Sequence, residues 1–359
     1  MNAIAPSTRR RAMRILIVQP GTESRGGVSA DVGALADSAR TDGDDVRVVG
    51  TVEQAAQVIA GRPDVVHLFG CLPSSVTFGS MAFARRRRVP IVWTPVFHPS
   101  RVHSWRGYGW RRAMAAFDRA APRCARWTDA VLASTDAEAA LFRTLGAPRV
   151  ELVPPAVEFP VLEPTSEDIA AFRARFAIPA GRTLLVVGRQ NSRKGLPFAA
   201  EVFARVRAAL PDAAMVLAGP TGDAGGGILP LGWLPPIDLA CAYRAADLIF
   251  VSSLYESFSR TVIEAWANVR PVVVTDRVGL APVVAASGGG EVVAYGDAVA
   301  AAGTIASLLD DKGRRERMAT AGQGVVKARY ALRATVDATR SVYRDLSHHH
   351  ESEAPWMSR

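Results

Sequence analysis

The stretch that most constrains this chain is Ala246–Asp276. Its apolar run Leu248–Val251 has the length and composition of a buried parallel strand. A polar elbow follows at 252–259, then apolar residues at helical spacing, then a second apolar run at 271–274. These segments predict one βαβ unit. Its elbow lies at the carboxyl end of a strand, where open α/β sheets bind ligands.

Two carboxylates flank the start of the predicted helix: Glu256 in the elbow and Glu264 on the helix, with seven residues between them. Ser257 or Ser259 is placed to cap that helix, so its N–H groups and positive dipole end face the strand edge. Acids beside such an anion site indicate a ligand with both phosphates and hydroxyls, since carboxylates accept hydrogen bonds from hydroxyls. Two unrelated surface glutamates are the alternative interpretation.

A basic loop follows another predicted strand, at 184–187. It contains Gly188, Arg189 and Lys194, a combination that can wrap a diphosphate with charge-assisted contacts. The chain has only three lysines among its 43 basic residues, which weakly favours a specific use for Lys194 over ordinary surface charge.

In the N-terminal half, Gly26 and Gly27 lie between a predicted strand, 14–18, and a predicted helix, 28–39. Glycines at such a position let backbone amides approach a phosphate closely. The loop is not G-x-G-x-x-G, so a dinucleotide site gains little support. A tight turn without a ligand is the alternative.

The remaining candidates for chemistry are two histidines and one acidic turn. His67 lies inside an apolar run and is expected to be a satisfied core residue, whereas His98 follows a strand at the edge of the sheet where ligands bind. Asp42 and Asp44 form a D-x-D sequence, which we interpret as solvated turn chemistry and not as a metal site. Three scattered cysteines argue against a disulfide framework.

With its surroundings, the E-x7-E pattern of Glu256 and Glu264 resembles glycosyltransferase family 4. The resemblance extends to the block from Gly188 to Lys194 and covers nearly the whole chain. It implies the GT-B fold: an α/β protein with two Rossmann-like, doubly wound parallel-sheet domains and a cleft between them. It also implies a retaining, metal-independent, hexosyl-type transferase that needs no cofactor and uses a nucleoside diphosphate sugar as donor substrate.

The resemblance assigns roles residue by residue. Catalytic roles fall on Glu256, His98, Lys194 and Arg189. Donor-binding roles fall on Gly26, Gly27, Gly188, Trp233, Leu234, Ser257, Phe258, Ser259 and Glu264. No residue is assigned to a metal. Family members usually have glycine where this chain has Ser259 and, before the second strand's proline, Arg270. These departures leave open reduced turnover, or a non-catalytic nucleotide-sugar binder or partner subunit.

The expected organisation has four parts. Residues 1–160 form an acceptor-side domain and 161–329 the nucleotide-sugar domain, 330–346 a terminal helix that crosses back, and 347–359 a flexible tail. Prolines at 154 and 155 mark the junction.

Charge and composition bear on partners and location. The net charge is +9, and between Arg85 and Arg126 eleven arginines face the single acid Asp118. We therefore expect either a solvated basic face or peripheral contact with an anionic membrane and a glycan or lipid-linked acceptor, with nucleic acid disfavoured for want of a binding module. The N-terminus lacks an apolar signal core and no run is long enough to span a bilayer, so a cytoplasmic location is expected, with the inner membrane face a possibility.

Overall fold

A computed structural model describes most of the chain: residues 11–20, 27–70, 74–96, 108–158, 162–222 and 225–352, with backbone only for 108–114 and 349–352. The chain divides into two compact units, Met1–Val153 with Val336–Arg359, and Pro154–Thr335. The division therefore falls at Val153, seven residues before the predicted domain end at 160.

The first unit is built on a six-stranded parallel sheet of order β2-β1-β3-β4-β5-β6. Its strands are β1 (Arg14–Val18), β2 (Asp45–Val49), β3 (Val65–Phe69), β4 (Ile91–Thr94), β5 (Ala130–Ala133) and β6 (Val150–Leu152). Its helices are α1 (Gly27–Thr41), α2 (Val52–Ala60), α3 (Ser75–Arg86), α4 (Tyr108–Trp127) and α5 (Asp136–Thr144). The central strands are buried on both faces, as expected where helices cover a parallel sheet.

The second unit repeats this plan with the order β12-β11-β10-β7-β8-β9, again all parallel. Its strands are β7 (Thr183–Val187), β8 (Ala214–Ala218), β9 (Ile228–Gly232), β10 (Leu248–Val251), β11 (Val272–Thr275) and β12 (Gly290–Val293). Its helices are α6 (Ser166–Arg175), the 3-10 helix η1 (Ser192–Lys194), α7 (Leu196–Ala209), α8 (Pro236–Ala245), α9 (Arg260–Ala267), α10 (Ala281–Ser287), α11 (Ala298–Asp310) and α12 (Lys312–Arg329).

The last helix, α13 (Leu332–Ser352), groups with the first unit from Val336 onward. It continues beyond 346, where the tail was expected to begin. No helix in the described ranges is both long and apolar enough to cross a bilayer.

The D-x-D turn is a buried anchor for α13, and the interpretation as solvated turn chemistry is wrong for Asp44. Arg340 of α13 donates to the carboxylates of Asp42 and Asp44, at 2.7 Å for the Asp44 contact. Asp44 also accepts a bond from the main-chain N–H of Met13 at 3.1 Å. The acids of this turn pair with the buried guanidinium of Arg340. The sequence alone does not reveal this pairing.

Helix α9 is fixed in the second unit by its tryptophan. Trp266 is fully buried and donates from Nε1 to the carbonyl of Gly289 at 2.9 Å. A Cβ at Gly322 of α12 would lie only 2.2 Å from the indole, so glycine at this position lets α12 approach α9 closely. The helix that carries Glu264 is thus held against the core by close packing.

The predicted central unit is present as β10, α9 and β11. The sequence analysis missed two edge strands, β9 and β12, and the short helix α10 between β11 and β12. Pro230 interrupts the apolar run of β9, and β12 begins with a glycine and a glutamate, so neither strand has a continuous apolar run.

Candidate functional site

Three loops of the second unit lie next to one another because their strands are neighbours. Strands β11, β10 and β7 are adjacent and parallel, so the segments that follow them share the carboxyl edge of the sheet. These segments are 188–195 after β7, 252–259 after β10 and 276–280 after β11. They bring Lys194 and Glu256 together, although 62 positions separate the two in sequence.

Local turn chemistry fixes the loop after β7. The side chain of Asn191 caps η1 by accepting from the N–H of Lys194 at 3.2 Å. Gly195 then takes the left-handed conformation, with φ of 62°, and any Cβ there would lie 2.1 Å from the carbonyl oxygen of Ser252. The Ser252 hydroxyl in turn donates to the carbonyl of Lys194 at 2.9 Å. Only glycine allows this close docking of the basic loop on the elbow.

The side chain of Lys194 packs against Gly188. A Cβ at Gly188 would lie 2.8 Å from Cε of Lys194, so this glycine leaves room for the alkyl stem. The Lys194 ammonium donates to Oε1 of Glu256 at 2.6 Å, and the hydroxyl of Ser253 donates to the same oxygen at 2.6 Å. The arrangement is a short, half-buried ion pair at the strand edge.

The Glu256 carboxyl is charged despite its burial. Burial alone raises its pKa, but the neighbouring Lys194 ammonium and the hydrogen bonds from Lys194 and Ser253 outweigh burial, so the pKa is lowered overall. Ser259 adds a smaller lowering of the pKa, although its hydroxyl forms no hydrogen bond of regular geometry in the described structure. At neutral pH Glu256 is therefore an anion that can accept hydrogen bonds.

Main-chain bonds hold the elbow in place. The N–H of Glu256 donates to the carbonyl of Arg277 at 3.2 Å, and the N–H of Gly279 donates to the carbonyl of Glu256 at 2.8 Å. A Cβ at Gly279 would lie 1.9 Å from the carbonyl oxygen of Ser257. The loop after β11 thus positions Glu256 by its backbone, independently of the lysine.

Of the two serines expected to cap α9, Ser259 does not do so. Ser259 occupies the N-cap position, but it has φ of 114° and its side chain makes no capping bond. A normal N-cap residue is extended, which lets its side-chain oxygen reach the N–H groups of the first turn. Ser257 lies three positions before the first helical residue, Arg260, and is therefore not the N-cap residue. The N-cap side chain makes no bond to the first turn of α9.

Glu264, in the second turn of α9, has both carboxylate oxygens engaged. Nε of Arg260 contacts Oε1 at 3.1 Å, and the buried hydroxyl of Tyr243 donates to Oε2 at 2.9 Å. Arg260 also donates to the carbonyl of Ala156 at 3.0 Å. Burial, with the nearby Glu264 charge, raises the pKa of Tyr243, so the phenol stays protonated and acts as a donor.

The other predicted residues of this unit lie at the same edge. Arg189 is exposed directly after Gly188. Trp233, just after β9, is 53% exposed, whereas Leu234 is a buried core residue whose side chain is not available to a ligand. The side chain of Phe258 is also buried, edge-on to Tyr330 with ring centres 5.7 Å apart. Ligand contacts at Leu234 and Phe258 would have to use main-chain atoms.

In the first unit, Gly27 is the first residue of α1, while Gly26 and His98 lie outside the described residues. His67 is the satisfied core residue that the sequence predicts: its ring nitrogens are 2.5 Å from the Tyr343 hydroxyl and 2.7 Å from Oγ1 of Thr94. Among the described residues, no group of three or more histidines, cysteines or acids is arranged to hold a metal ion.

Four residues that position Lys194 and the two glutamates were not predicted from the sequence: Asn191, Ser253, Tyr243 and Arg260. One of them had a readable signal, because Arg260 and Glu264 are four apart on one predicted helix and so lie on the same face. Tyr243 had none, since it comes from the preceding helix and only the tertiary fold brings it to Glu264.

Comparison with known proteins identifies the family. The profile described as "Glycosyl transferase 4-like domain" matches residues 4–156, and the one described as "Glycosyl transferases group 1" matches residues 168–325. Together the two profiles cover both sheets.

Curated relatives support the assignment. The D-inositol 3-phosphate glycosyltransferase of Segniliparus rotundus is 30% identical over 239 residues, 60% of this chain and 52% of the relative. D-inositol 3-phosphate glycosyltransferase 2 of Catenulispora acidiphila is 35% identical over 244 residues, 60% of this chain and 56% of the relative. The matched region thus spans about half the length of these relatives.

Among solved structures, Anabaena Alr3699/HepE in complex with UDP and glucose aligns with a TM-score of 0.76 and 16% identity, covering 92% of this chain and 99% of that one. This likeness concerns the fold, and it confirms the predicted fold class. The chain belongs to glycosyltransferase family 4 and has the GT-B fold.

Proposed function

We propose that this chain is a retaining, metal-independent glycosyltransferase that moves a hexosyl group from a nucleoside diphosphate sugar to an acceptor hydroxyl. Family membership supports the reaction class. The observation that carries the proposal is the pairing of Lys194 with Glu256 just before α9, where a cation, an acid and the start of a helix meet.

The electrostatics of this pair suit a phosphate-bearing donor. Without a ligand, Lys194 and Glu256 neutralise each other at 2.6 Å. A donor diphosphate would offer the ammonium a second anion, and Glu256 would then accept from a sugar hydroxyl. Arg189 would add a second charge-assisted contact, so that the leaving diphosphate is stabilised as the bond to the sugar breaks.

The remaining roles follow the family assignment. Glu264 would hold the ribose hydroxyls, with Arg260 and Tyr243 orienting its carboxylate. Main-chain amides at Ser257, Phe258 and Ser259 would face the diphosphate, and the segment of Trp233 and Leu234 would line the base. Gly188, Gly26 and Gly27 would allow close approach to the phosphates, and His98 would bond the transferred sugar.

The chemical step we propose is attack on the same face that the leaving group departs from. The acceptor oxygen bonds to the anomeric carbon as the bond from that carbon to the diphosphate oxygen breaks. The acceptor's proton passes to an oxygen of the departing phosphate, so no protein carboxylate needs to become a nucleophile. Lys194 and Arg189 offset the charge that develops on the diphosphate.

UDP-glucose is the first donor to test. Anabaena HepE has been solved with UDP and with UDP-glucose, and the curated relatives carry glycosyltransferase names. The base and the sugar of this chain are therefore proposed from a structural relative, with UDP and glucose as the starting point.

The acceptor side includes a basic surface on the first unit. Four consecutive arginines, Arg85–Arg88, are exposed at the end of α3, next to Phe83, which is 39% exposed. Arginines beside an exposed aromatic ring favour peripheral contact with an anionic membrane. We accordingly propose a glycan or lipid-linked acceptor and a cytoplasmic location at the inner membrane face.

Two measurements test the donor assignment. UDP, GDP, ADP and dTDP are compared by thermal shift, and slow release of glucose from UDP-glucose is followed without an acceptor. A rise in melting temperature with one nucleotide together with sugar release supports the transferase. Binding without release indicates a non-catalytic nucleotide-sugar binder, and the absence of any shift contradicts nucleotide binding altogether.

The membrane contact has its own test. Binding to vesicles that contain anionic lipid is expected to weaken between low and high salt, because the ionic part of the attraction is screened. Replacing Arg85–Arg88 with glutamine is expected to remove the salt-sensitive part. Vesicle binding that is unchanged by salt and by this replacement would contradict the proposed membrane contact.

A further inference from the structure

Three residues form a row across the carboxyl edge of the first sheet, outside the site already described. The strand order reverses between β1 and β3, and open α/β sheets bind ligands at such a point. The parallel register places Gln19, directly after β1, beside Phe69 of β3, and it pairs Phe69 with Thr94 of β4. The residue before each of them packs into the core on the other face of the sheet. Because side chains alternate along a strand, these three share the opposite face.

Gln19 has an amide whose hydrogen-bonding capacity is half used. The residue is only 5% exposed, and its Nε2 donates to Oγ of Ser29, in the first turn of α1, at 2.8 Å. Its Oε1 accepts no hydrogen bond from the described residues and is not enclosed by them. An amide oxygen in a buried side chain needs a partner, because leaving it unbonded costs free energy. The partner must therefore come from water or from a ligand at the sheet edge.

The direction of the hydrogen bonds at Thr94 follows from a chain of contacts that begins in α13. The hydroxyl of Tyr343 lies 2.5 Å from Nδ1 of His67, and burial raises the pKa of this phenol, so it is protonated. No other described group contacts that hydroxyl, so it donates to Nδ1. Burial lowers the pKa of His67 to about 3, and a neutral imidazole that accepts at Nδ1 carries its hydrogen on Nε2. Nε2 therefore donates to Oγ1 of Thr94, at 2.7 Å.

The hydroxyl hydrogen of Thr94 is consequently left for another partner. It cannot be shared with His67, whose Nε2 is already the donor, and no described residue accepts it. Thr94 is partly exposed at the end of β4. The row thus presents an acceptor at Gln19 and a donor at Thr94, with the ring of Phe69 between them. Hydroxyl groups both accept and donate, whereas a phosphate has no hydrogen for Oε1 and an ammonium group has no lone pair for Thr94.

We propose that Gln19 and Thr94 bind hydroxyl groups of an uncharged sugar or polyol unit of the glycosyl acceptor. One hydroxyl donates to Oε1 of Gln19, and another accepts from the hydroxyl of Thr94. The two residues are two strand spacings apart, about 10 Å between Cα atoms, so their side chains can reach opposite sides of one ring-sized ligand. His67 is a positioning residue, because it sets the direction in which Thr94 donates. This inference rests on the proposed function and narrows the class of its acceptor.

The test follows the consumption of UDP-glucose with rising concentrations of methyl glucoside, myo-inositol or sorbitol. In the wild type at least one of these compounds should change the rate, upward if it is glycosylated and downward if it only excludes water. Gln19→Leu and Thr94→Val should each raise the half-effective concentration of that compound about five- to tenfold, the loss of one hydrogen bond, while UDP binding stays unchanged.

Thr94→Ser keeps the hydroxyl and should restore the wild-type half-effective concentration. Gln57→Leu and Thr144→Val, at exposed positions of α2 and α5, are the matched controls and should behave as the wild type does. Nitrogen NMR spectra of the imidazole groups add a readout that packing alone would not move. The signal of His67, assigned by its absence in His67→Gln, should show the hydrogen on Nε2. A hydrogen on Nδ1 would commit the Thr94 hydroxyl to His67 and overturn its assignment.

Two further outcomes would overturn the proposal: none of the three compounds affects the wild type, or the half-effective concentration is unchanged in both Gln19→Leu and Thr94→Val. These failures are distinguishable from failure of the proposed function. A protein that binds none of the four nucleoside diphosphates and does not consume UDP-glucose contradicts the transferase itself. A protein that binds a nucleotide and releases glucose, but does not respond to the polyols, contradicts only the role of the row.

Discussion

The two units each contain a close charge pair, and the two pairs differ in what surrounds them. In the first unit, Arg340 and Asp44 have side chains that are 3% and 1% exposed. In the second, Lys194 and Glu256 are 23% and 13% exposed. The first pair joins helix α13 to the turn between α1 and β2, whereas the second lies at the carboxyl edge of a parallel sheet.

The difference distinguishes a structural contact from a contact that a ligand can replace. Asp44 also accepts from a main-chain N–H, so opening its pair with Arg340 would leave charges buried with nothing to replace them. Lys194 and Glu256 retain access to solvent, and a phosphate or a sugar hydroxyl could take either partner's place. A charge pair alone does not indicate a ligand site; partial exposure at the carboxyl edge of a parallel sheet favours one.

Arg340→Met should give the largest loss of stability. Asp44 would remain buried without its cation, which costs about 3–5 kcal/mol in the free energy of unfolding. Denaturant unfolding measures this, with Arg344→Met, exposed on the same helix, as the control. A loss below about 1 kcal/mol would mean that the first pair is as replaceable as the second, and the comparison would fail.

Lys194→Ala and Glu256→Gln should have the opposite profile, with activity lost and the fold retained. Each is expected to lower transfer at least 10²-fold, as removal of one group that stabilises the leaving diphosphate or holds the sugar does in other enzymes. Lys312→Ala and Glu201→Gln, both exposed, are the matched controls. Wild-type turnover in either site variant would remove that residue from the mechanism.

Glu256→Gln sharpens the comparison further. Without the carboxylate, Lys194 has no competing anion, so the nucleoside diphosphate alone should bind at least as tightly as to the wild type. Lys194→Ala should weaken the same binding. Equal weakening in both variants would show that the pair acts as a fixed structural unit, like that of Arg340.

His67 is, like Arg340, a buried residue whose contacts support the fold. Because it is also titratable, it predicts that the free energy of unfolding depends on pH. Burial lowers its pKa from 6.5 to about 3, so between these values the unfolded chain binds a proton that the folded chain does not. Stability must therefore fall as pH drops from about 6.5 toward 3, with a slope of up to about 1.4 kcal/mol per pH unit from this residue. His67→Gln keeps hydrogen-bonding atoms near Tyr343 and Thr94 and should remove that part of the slope. Identical slopes in the two proteins would contradict the burial of a neutral imidazole.

The sequence predicted the central elements of both sheets because buried parallel strands are continuous apolar runs. The β10–α9–β11 unit is the best example. Strands β9 and β12 were missed because Pro230 interrupts the apolar run of β9 and Glu291 that of β12. The pairing of the D-x-D turn with Arg340 was not predictable, since Arg340 lies 296 positions from Asp44 and no local sequence pattern connects them.

At the candidate site, spacing predicted which residues share an edge but not how they pair. Glu256 and Lys194 were each singled out, yet their direct contact depends on the close docking of Gly195 against Ser252. The helix cap was predicted from residue type, and the prediction failed because φ at Ser259 is positive. Backbone angles are set by tertiary fit, and residue preference alone cannot supply them.

The smallest predicted effect concerns the segment before β11, where members of the family usually have a glycine. The sequence predicted that Arg270 replaces this glycine, but the left-handed backbone is at the preceding residue, Val269, with φ of 57°. Arg270 instead donates to three main-chain carbonyls, among them that of Arg244 at 2.5 Å and that of Tyr243 at 3.2 Å. The contacts of Arg270 therefore support the fold, like those of Arg340, although Arg270 lies in the unit that carries the candidate site.

Val269→Gly should accordingly raise the free energy of unfolding by up to about 1 kcal/mol, because relief of a β-branched residue at positive φ outweighs the added freedom of the unfolded chain. Val269→Ala, which keeps a Cβ, should gain less. Arg270→Gly should lose stability, since the carbonyls of Tyr243 and Arg244 at the end of α8 would each lose a donor, while turnover at saturating donor stays near that of the wild type. If Arg270→Gly were instead the stabilising change, the glycine position would be 270 and the guanidinium would have no structural role. A stable Arg270→Gly protein that had lost turnover would place Arg270 with Lys194 and Glu256, and would show that main-chain partners do not by themselves mark a contact as structural.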